Sequence, residues 1–385
     1  MKKQINIIAM HLAYGGVEKA VCAMANLFIE MGYPVKIICT YNMPDAPAYP
    51  LDEKVEIEYL LKDIPNRQEF REAVRGKNPY KIVKEGFRSV KILYQKKTRV
   101  KKAIAHIHEG IIITTRHEDS LVLSRIGDKN VYKIAQLHHD HEFKDQYVQD
   151  FKKNYNGIDC FCLLTDKLRD EVAQMMLEGG NTHTKCVTVP NFVDELPKPR
   201  HTPLTKQCIS VGRLHPVKGF DRLIKLFTKI HEQDESVALK IVGGGEEFER
   251  LNNQIHESNA EHYITLTGAK HAEEVSELLD ESGLYLMTSH SEGLPFVLIE
   301  AMSHGLPCIA YDVRVGPSAI IQDSLDGYLI PDNDEDLYVR RCLEVLSDRQ
   351  LQVQMSNQAR QKSNFYTKAE VQKIWKVVLM DESCK

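Results

Sequence analysis

Short apolar runs alternate with helical segments along the chain. Residues 5–10 form an apolar run that ends in a glycine-containing loop, and residues 35–40 form the next run. Between them, apolar residues recur every three or four positions from Val17 to Met31, which predicts a helix with one buried face. Strand, glycine loop, helix and strand form the repeating unit of open parallel sheets, whose ligands bind at the carboxyl ends of the strands.

The second half of the chain begins again in the same way. Residues 207–211 are predicted as a strand, 212–219 as a loop and 220–231 as a helix. Further strands are predicted at residues 111–115, 132–137, 159–165, 186–189, 239–242, 264–267, 283–287 and 307–311. This pattern predicts an α/β protein of two doubly wound, Rossmann-like domains that face each other across a cleft.

Composition agrees with two ordinary domains. The chain has 385 residues, of which 43% are hydrophobic and 27% charged, as in a soluble globular protein with sizeable cores. Its nine cysteines form no Cys-x-x-Cys pair, which favours reduced thiols and the cytoplasm. No apolar run reaches the roughly 20 residues that span a bilayer, and polar residues interrupt the apolar patch after Lys2 and Lys3, so we expect no signal peptide.

Charge is distributed unevenly. The net charge of −4 argues against a nucleic-acid partner, but residues 67–102 carry thirteen basic and three acidic side chains, a local charge of +10. Val83, Phe87, Val90 and Tyr94 fall on one helical face within this segment. The helix could lie on an anionic membrane, or it could be a solvated helix whose apolar stripe packs on the sheet. The sequence leaves both interpretations open.

Candidate chemistry concentrates in residues 283–304. A buried strand at 283–287 leads into a loop, and Pro295 is expected at the first position of the following helix. Free backbone N–H groups at the positive end of that helix would form a phosphate site. These groups are expected at Phe296, Val297 and Leu298.

Two carboxylates bracket this helix start. Glu292 lies in the loop and Glu300 lies about a turn into the helix. Either residue alone is more often a solvated surface glutamate, but two acids around an anion site suggest one ligand contacted at two points. The setting Glu-Gly-Leu-Pro…Glu-Ala-Met…Gly-Leu-Pro resembles the signature of glycosyltransferase family 4. These are retaining, nucleotide-sugar-dependent enzymes with the GT-B fold.

Further segments carry the same resemblance, which is strongest over residues 207–331 and weakest over 42–108. Gly212-Arg213-Leu214 followed by Lys218-Gly219 is similar to the family's phosphate-binding loop, which implies that Arg213 and Lys218 hold a diphosphate. The family's first glycine loop implies a contact of Gly16 with donor phosphate or acceptor. Glycine turns at Gly243 and Gly268 are implied to line the nucleotide pocket, with backbone near Lys270 at the base.

Three histidines and an aspartate occupy residues 138–141, a composition that also suits a metal site. Adjacent residues on an extended chain point in different directions, so we expect no metal there. The family carries a histidine near the donor sugar after this strand. The best match is His138, with His139 as the second choice.

The resemblance implies transfer of a sugar, with retention, from a nucleotide diphosphate that is UDP on resemblance alone. The acceptor would be a glycan or a lipid-linked molecule of bacterial surface polysaccharide synthesis. Glu300 would hold the ribose, Glu292 and His138 the transferred sugar, and two cations the leaving diphosphate, so that a hexosyltransferase would need neither metal nor cofactor. A noncatalytic GT-B partner subunit and a nucleotide-sugar epimerase are the alternatives.

Proline spacing predicts where the halves meet. Pro197, Pro199 and Pro203 mark a linker at residues 195–206, between a first domain at 1–194 and a second at 207–364. Residues 365–385, with Trp375, are expected to form a helix that packs back on the first domain, as in GT-B proteins. We expect a cytoplasmic protein that could be peripheral at the inner face of the cell membrane.

Overall fold

The computed structural model describes residues 2–44, 46–197 and 205–380. Its contacts divide the chain into two compact units. The first contains the described residues of Met1–Leu163, Arg169–Thr188 and Trp375–Lys385, and the second those of Leu164–Leu168 and Val189–Ile374. Most of the expected linker, including Pro199 and Pro203, lies outside the described residues.

The first unit is built on a seven-stranded parallel sheet in the order β3-β2-β1-β4-β5-β6-β7. Its strands are β1 Ile5–Ala9, β2 Val35–Tyr41, β3 Glu56–Leu61, β4 Ile111–Thr114, β5 Tyr132–Leu137, β6 Cys160–Leu163 and β7 Lys185–Thr188. Its helices are α1 Gly16–Glu30, α2 Arg67–Arg75, α3 Pro79–Ala105, α4 His117–Ile126, α5 Asp145–Lys153 and α6 Asp166–Glu178. Strand β1, in which Asn6 is the one polar residue, is buried throughout because it lies in the middle of the sheet, paired with β2 and β4.

The second unit repeats this architecture with a six-stranded parallel sheet in the order β10-β9-β8-β11-β12-β13. Its strands are β8 Gln207–Val211, β9 Ala238–Val242, β10 Ile264–Gly268, β11 Leu284–Met287, β12 Cys308–Asp312 and β13 Gly327–Pro331. Its longer helices are α7 Phe220–His231, α8 Phe248–Glu257, α9 Ala272–Asp280, α10 Phe296–Ser303, α12 Glu335–Ser347 and α13 Arg349–Ser363. Between β12 and β13 lies the four-residue helix α11 Pro317–Ile320.

The apolar face of α7 shows how the sequence forms this core. Leu223, Phe227 and Ile230 are fully buried, whereas Lys225 and Lys229 on the opposite face are exposed. Burying such a side chain stabilises the fold by about 1.5–3 kcal/mol. The expected strand–loop–helix unit at the start of the second half is therefore present.

The last helix among the described residues is α14 Lys368–Met380. Trp375 on this helix belongs to the first unit, where its ring packs edge-on against Phe28 with 4.9 Å between the ring centroids. An aromatic pair of this geometry contributes about 0.5–1.5 kcal/mol beyond burial. The helix expected at residues 365–385 is present as far as residue 380, where the described part of the chain ends.

Helix α3 corrects one of the two interpretations of the basic segment. The four stripe residues Val83, Phe87, Val90 and Tyr94 are all exposed, Phe87 by 75%. The helix instead packs through Ile92, Val100 and Ile104. The interpretation in which the stripe packs on the sheet is therefore wrong, because a different face of the helix supplies the core.

Two further features bear on the expected environment. Eight cysteines lie among the described residues and all are free thiols. Across the described helices, none is both long enough and apolar enough to cross a bilayer.

Candidate active site

The strand order of the second unit reverses between β8 and β11. Such a reversal leaves a crevice at the carboxyl ends of the strands, where open α/β sheets bind ligands. The two loops that follow these strands are joined here by backbone contacts. His290 N–H donates to the Val217 carbonyl at 2.8 Å, and the Thr288 hydroxyl donates to the Gly219 carbonyl at 2.9 Å. The crevice therefore has fixed walls.

Lys218 and Glu292 meet in this crevice. Lys218 Nζ lies 2.7 Å and 2.9 Å from the two carboxylate oxygens of Glu292, and Ser289 Oγ donates to Oε1 at 2.6 Å. Glu292 is buried and Lys218 half-buried. The sequence suggested separate partners for the two residues, and their ion pair was not foreseen.

Arg213 lies in the same loop as Lys218 but behaves differently. Its side chain is exposed, and no residue in the described part of the chain pairs with its guanidinium. A guanidinium presents donors in a fixed fork that suits phosphate oxygens. The loop after β8 thus carries two cations. The ammonium of Lys218 is already paired with Glu292, and the guanidinium of Arg213 is available to a ligand.

Glycines allow the loops of this edge to touch. A Cβ on Gly219, which has φ of +63°, would lie 2.1 Å from the Thr288 carbonyl oxygen. A Cβ on Gly243 would lie 1.9 Å from the Gly212 carbonyl oxygen, which any side chain would displace. A Cβ on Gly316, which has φ of +94°, would lie 3.0 Å from the Glu292 Cβ. These glycines are needed for backbone packing, whatever ligand binds.

The start of α10 differs from the expectation in two details. Pro295 is the N-cap residue, so the helix begins one residue later, at Phe296. The Leu298 N–H donates to the Pro295 carbonyl at 3.2 Å and is not free, because the first turn closes on itself. Val297, half-buried in the same turn, still belongs to the positive end of the helix.

Two other residues that are expected to bind the nucleotide-sugar donor belong to the second unit. Glu300 is half-buried on α10. Lys270 is exposed and its ammonium pairs with Glu274 at 2.8 Å. The β9 loop reaches this region, since a Cβ on Gly244 would lie 3.2 Å from Ala269 Cβ.

Arg222 is a positioning residue that sequence reasoning missed. From α7 it donates to the carbonyls of Thr288 at 2.5 Å and Ser289 at 2.6 Å. It also pairs with Asp332 at 2.7 Å and lies 4.3 Å from the Tyr311 ring centre. One side chain thus holds the loop that carries Glu292, although in sequence it resembles any surface arginine of an amphipathic helix.

Asn191 supports the same loop from its other side. Its amide Nδ2 donates to the Leu294 carbonyl at 2.7 Å, and the residue is buried. Its contact with residue 294, 103 positions away, explains why an amide is useful there.

In the first unit the strand order reverses between β1 and β4. His11 Nδ1 lies 3.5 Å from Glu18 Oε1, and Arg116 lies 3.9 Å from the same oxygen. Burial lowers the pKa of His11, partly offset by the Glu18 carboxylate. Gly16 is exposed at the start of α1, and a Cβ there would meet nothing within 4 Å. Space is therefore open at Gly16, whereas a Cβ on the neighbouring Gly15 would lie 2.0 Å from a carboxylate oxygen of Glu18.

The three histidines after β5 take different partners. His138 Nε2 lies 3.2 Å from Gln136 Oε1, whereas His139 Nε2 lies 2.7 Å from the Tyr147 hydroxyl. His141 is fully buried, 3.3 Å from a carboxylate oxygen of Glu171. Burial, with the nearby His139 and Arg116 charges, lowers the pKa of His138 to about 4, so its imidazole is neutral at pH 7. In the described residues, no group of three or more His, Cys, Asp or Glu side chains is arranged to hold a metal ion.

Comparison with known proteins gives the family context of these features. Residues 194–362 match the family model described as glycosyl transferases group 1. The chain is 27% identical to an uncharacterized glycosyltransferase of Haemophilus influenzae, over 98% of this chain and 100% of that protein. It is 25% identical to the amylovoran biosynthesis glycosyltransferase AmsD of Erwinia amylovora, over 95% of this chain and 96% of that protein. Other relatives are longer, and the chain spans about half of their length or less.

Solved structures share the fold. The pneumococcal O-GlcNAc transferase GtfA, in complex with UDP and GlcNAc, superimposes with a TM-score of 0.76 at 17% identity, covering 100% of both chains. The chain therefore has the GT-B fold of two Rossmann-like α/β domains. The family match of the second unit, the relatives that align over nearly their whole length and this fold together support a glycosyltransferase.

Proposed function

We propose that the chain is a retaining glycosyltransferase of family 4 that uses a UDP-sugar to extend a glycan or lipid-linked acceptor. The observation that carries the proposal is the pair of Lys218 and Glu292 beside Arg213 at the strand reversal of the second unit. Two named proteins support its details. The structural neighbour GtfA was solved with UDP and GlcNAc, and the Erwinia relative is named for amylovoran, a polysaccharide.

The negative charge of the leaving diphosphate determines which charged side chains the site needs. Breaking the bond between sugar and nucleotide places negative charge on a diphosphate, and preorganised cations lower the free energy of that state. Arg213 would bind it in a fork, and Lys218 would bind it with the ammonium donor that Glu292 leaves unused, since an ammonium has three. Val297 at the start of α10 would add a backbone donor. With these charges supplied by side chains, the reaction would need no metal.

Glu292 would serve the transferred sugar. Its carboxylate is held by Lys218 and Ser289, so it can accept hydrogen bonds from sugar hydroxyls without moving. It would also stabilise positive charge at the reacting carbon. A carboxylate bonded to an ammonium is a weak nucleophile, which favours same-face attack over double displacement as the route to retention.

The remaining residues carry roles that rest on the family resemblance. Glu300 would hold the ribose hydroxyls. Gly243 and the backbone near Lys270 would line the nucleotide site, with Phe296 at the phosphate end. His138 would contact the transferred sugar as a neutral donor or acceptor, and Gly16 would approach phosphate or acceptor.

Nucleotide release tests the proposal directly. Purified protein is incubated with UDP-, GDP- and ADP-sugars, with and without surface-glycan acceptors, and released nucleoside diphosphate is measured with and without EDTA. We expect acceptor-stimulated UDP release that EDTA does not abolish. Sugar epimerisation without transfer, or glycan binding with no turnover of any donor, would contradict it and favour an epimerase or a noncatalytic subunit.

A further inference from the structure

Helix α3 turns a continuous apolar face to solvent. Its exposed large apolar residues are between 57% and 77% accessible. Tyr80, Val83, Phe87, Val90 and Tyr94 share one face, within about 60° of Phe87 around the helix, and Leu93 lies about 120° from Phe87. Single exposed apolar side chains are ordinary, but a row of them along one helix marks an interaction surface.

The fold does not need this face. Ile92, on the other side of α3, packs with Tyr41 and Leu61 of the sheet. The Ser89 hydroxyl donates to Asn66 Oδ1 at 2.8 Å, which ties α3 to the segment before α2. The inner face therefore fixes the helix rotation, and the outer face stays exposed without cost to the core.

Cations flank the apolar row on both sides. At about 100° per residue, Lys84 and Lys91 lie about 40–60° from Phe87 on one side. Lys97 and Lys101 lie within about 80° of it on the other. All four are exposed, and across the described residues none of them has an ion-pair partner. The only acidic residue of α3 is Glu85, which is turned inward to accept from Asn66 at 2.8 Å.

We propose that α3 binds an anionic lipid surface, with Phe87 and its apolar neighbours at the headgroup boundary and the flanking lysines on lipid phosphates. A basic amphipathic helix binds in this way through buried apolar area and attraction to anionic lipid. The remainder of the chain carries −14, the difference between −4 and +10, so an anionic surface attracts this face and repels the rest. The attraction thus also orients the protein.

The spacing of the apolar row would also suit a helix of a second copy, since Val83, Phe87, Val90 and Tyr94 alternate three and four apart. Charge argues against that partner. Two such helices would bring two strongly basic segments together, and like charges at this distance repel. The lipid surface is complementary to α3 in both charge and polarity. Binding to it would require neither the sugar donor nor the sugar acceptor.

Flotation of the full chain with vesicles tests the proposal. The vesicles are phosphatidylcholine, alone or mixed with phosphatidylglycerol. The charge variant carries Lys84→Glu, Lys91→Glu and Lys101→Glu. Its matched control carries Lys54→Glu, Lys62→Glu and Lys129→Glu, three exposed lysines elsewhere in the first unit. The apolar variant carries Phe87→Ser and Tyr94→Ser.

We expect the parent to bind mixed vesicles much more strongly than phosphatidylcholine alone. Each surface lysine contributes about fivefold to partitioning, so the charge variant should lose about 10²-fold or more, and the control much less. High salt should weaken binding of the parent without abolishing it, because screening does not act on apolar burial. The binding that remains at high salt should be lost in the apolar variant, with the helical circular dichroism unchanged.

Three results would overturn the proposal. The parent could prefer neither vesicle, or the control could lose as much binding as the charge variant. A dimer in sedimentation velocity that the apolar variant dissociates, with no vesicle binding, would assign the face to a second copy of the chain.

Discussion

Each unit has a point at which the strand order of its sheet reverses, but the loops at that point are built differently in the two units. In the second unit, the loops at the strand reversal touch through their backbones, and Lys218 and Glu292 lie 2.7 Å apart. In the first unit, the corresponding groups are looser, with His11 at 3.5 Å and Arg116 at 3.9 Å from Glu18. The glycine of the second unit's loop, Gly219, has no space for a side chain, whereas Gly16 has open space.

This difference indicates where each edge can vary. An edge made by backbone contact admits few substitutions, so it suits a ligand portion that never changes, such as the diphosphate of a donor. An edge whose polar side chains are held loosely can be altered residue by residue without disturbing the strands. The second kind suits a ligand that differs between relatives, as acceptors do.

The largest expected effect is at Lys218. Lys218→Ala should lower kcat/KM by about 10²–10³-fold, because a cation at the diphosphate stabilises it most as negative charge grows on the leaving group. Steady-state kinetics with the active UDP-sugar measures it. Turnover equal to that of the parent would remove Lys218 from the donor site.

A paired variant separates catalysis from stability. Lys218→Ala alone leaves Glu292 buried without its ammonium, which costs stability. Lys218→Ala combined with Glu292→Gln removes that unpaired charge, so its urea midpoint should move back toward the parent while turnover stays low. Recovery of turnover along with stability would show that the single variant failed only by misfolding.

The glycine contrast tests the comparison itself. Gly219→Ala should destabilise the protein by about 3 kcal/mol, since a Cβ there meets the Thr288 carbonyl and φ is positive. Gly16→Ala should leave stability unchanged or raise it by up to ~1 kcal/mol, because the chain loses freedom only when unfolded. Urea unfolding followed by circular dichroism compares them. Equal losses would mean that the two loops are built alike.

Histidine titration gives a pH-dependent effect in the first unit. His138 has a folded pKa of about 4, below the ordinary 6.5, so between pH 6.5 and 4 the unfolded chain binds a proton that the folded chain does not. Its contribution to stability is therefore lost as pH falls through this window. Relative to His138→Gln, the parent should lose about 3 kcal/mol between pH 7 and pH 4.

Trp375 is the only tryptophan and lies in the first unit, so its fluorescence reports unfolding there. The comparison with the variant is needed because Asp119 and Asp326, whose pKa values burial raises to about 6, act in the opposite direction. Folded carboxyls of this kind gain stability as pH falls from 6 toward 4. Parallel pH curves for parent and variant would contradict the lowered pKa of His138.

The smallest expected effect separates the two glutamates. Glu300→Gln should weaken binding of free UDP about tenfold, the value of one hydrogen bond to a charged group. Glu292→Gln should leave UDP binding nearly unchanged and lower kcat with the sugar donor. Calorimetric titration of both variants with UDP decides, and two parent-like affinities would refute the ribose role.

The sheets could be predicted from sequence because buried parallel strands are short apolar runs, and most expected strands are present within a residue or two. Strand β3 was missed. It lies at the sheet edge, where Glu56 and Glu58 pair with Lys36 at 2.8 Å and 2.9 Å, so its pattern is polar and does not resemble a buried strand.

The site was predictable only as a set of motifs. The motifs named Arg213, Lys218 and Glu292, and in the second unit all three lie in loops that follow β8 and β11; their roles stay predictions. The 2.7 Å pair between residues 74 positions apart has no signal in periodicity, nor does the support from Arg222. The exposure of Val83, Phe87, Val90 and Tyr94 on α3 could not be predicted either. An amphipathic pattern with apolar residues on two faces does not determine which face packs on the core.

Glu292 also acts as a resident counter-ion for Lys218. A bare lysine in a crevice would attract any phosphate or sulfate ion from the surrounding solution. With the carboxylate in place, the charge of Lys218 is already balanced, so a small anion is attracted to it much less strongly. A ligand that brings both a diphosphate for Lys218 and hydroxyls for Glu292 satisfies the two groups together, so the ion pair makes the crevice selective before any ligand enters.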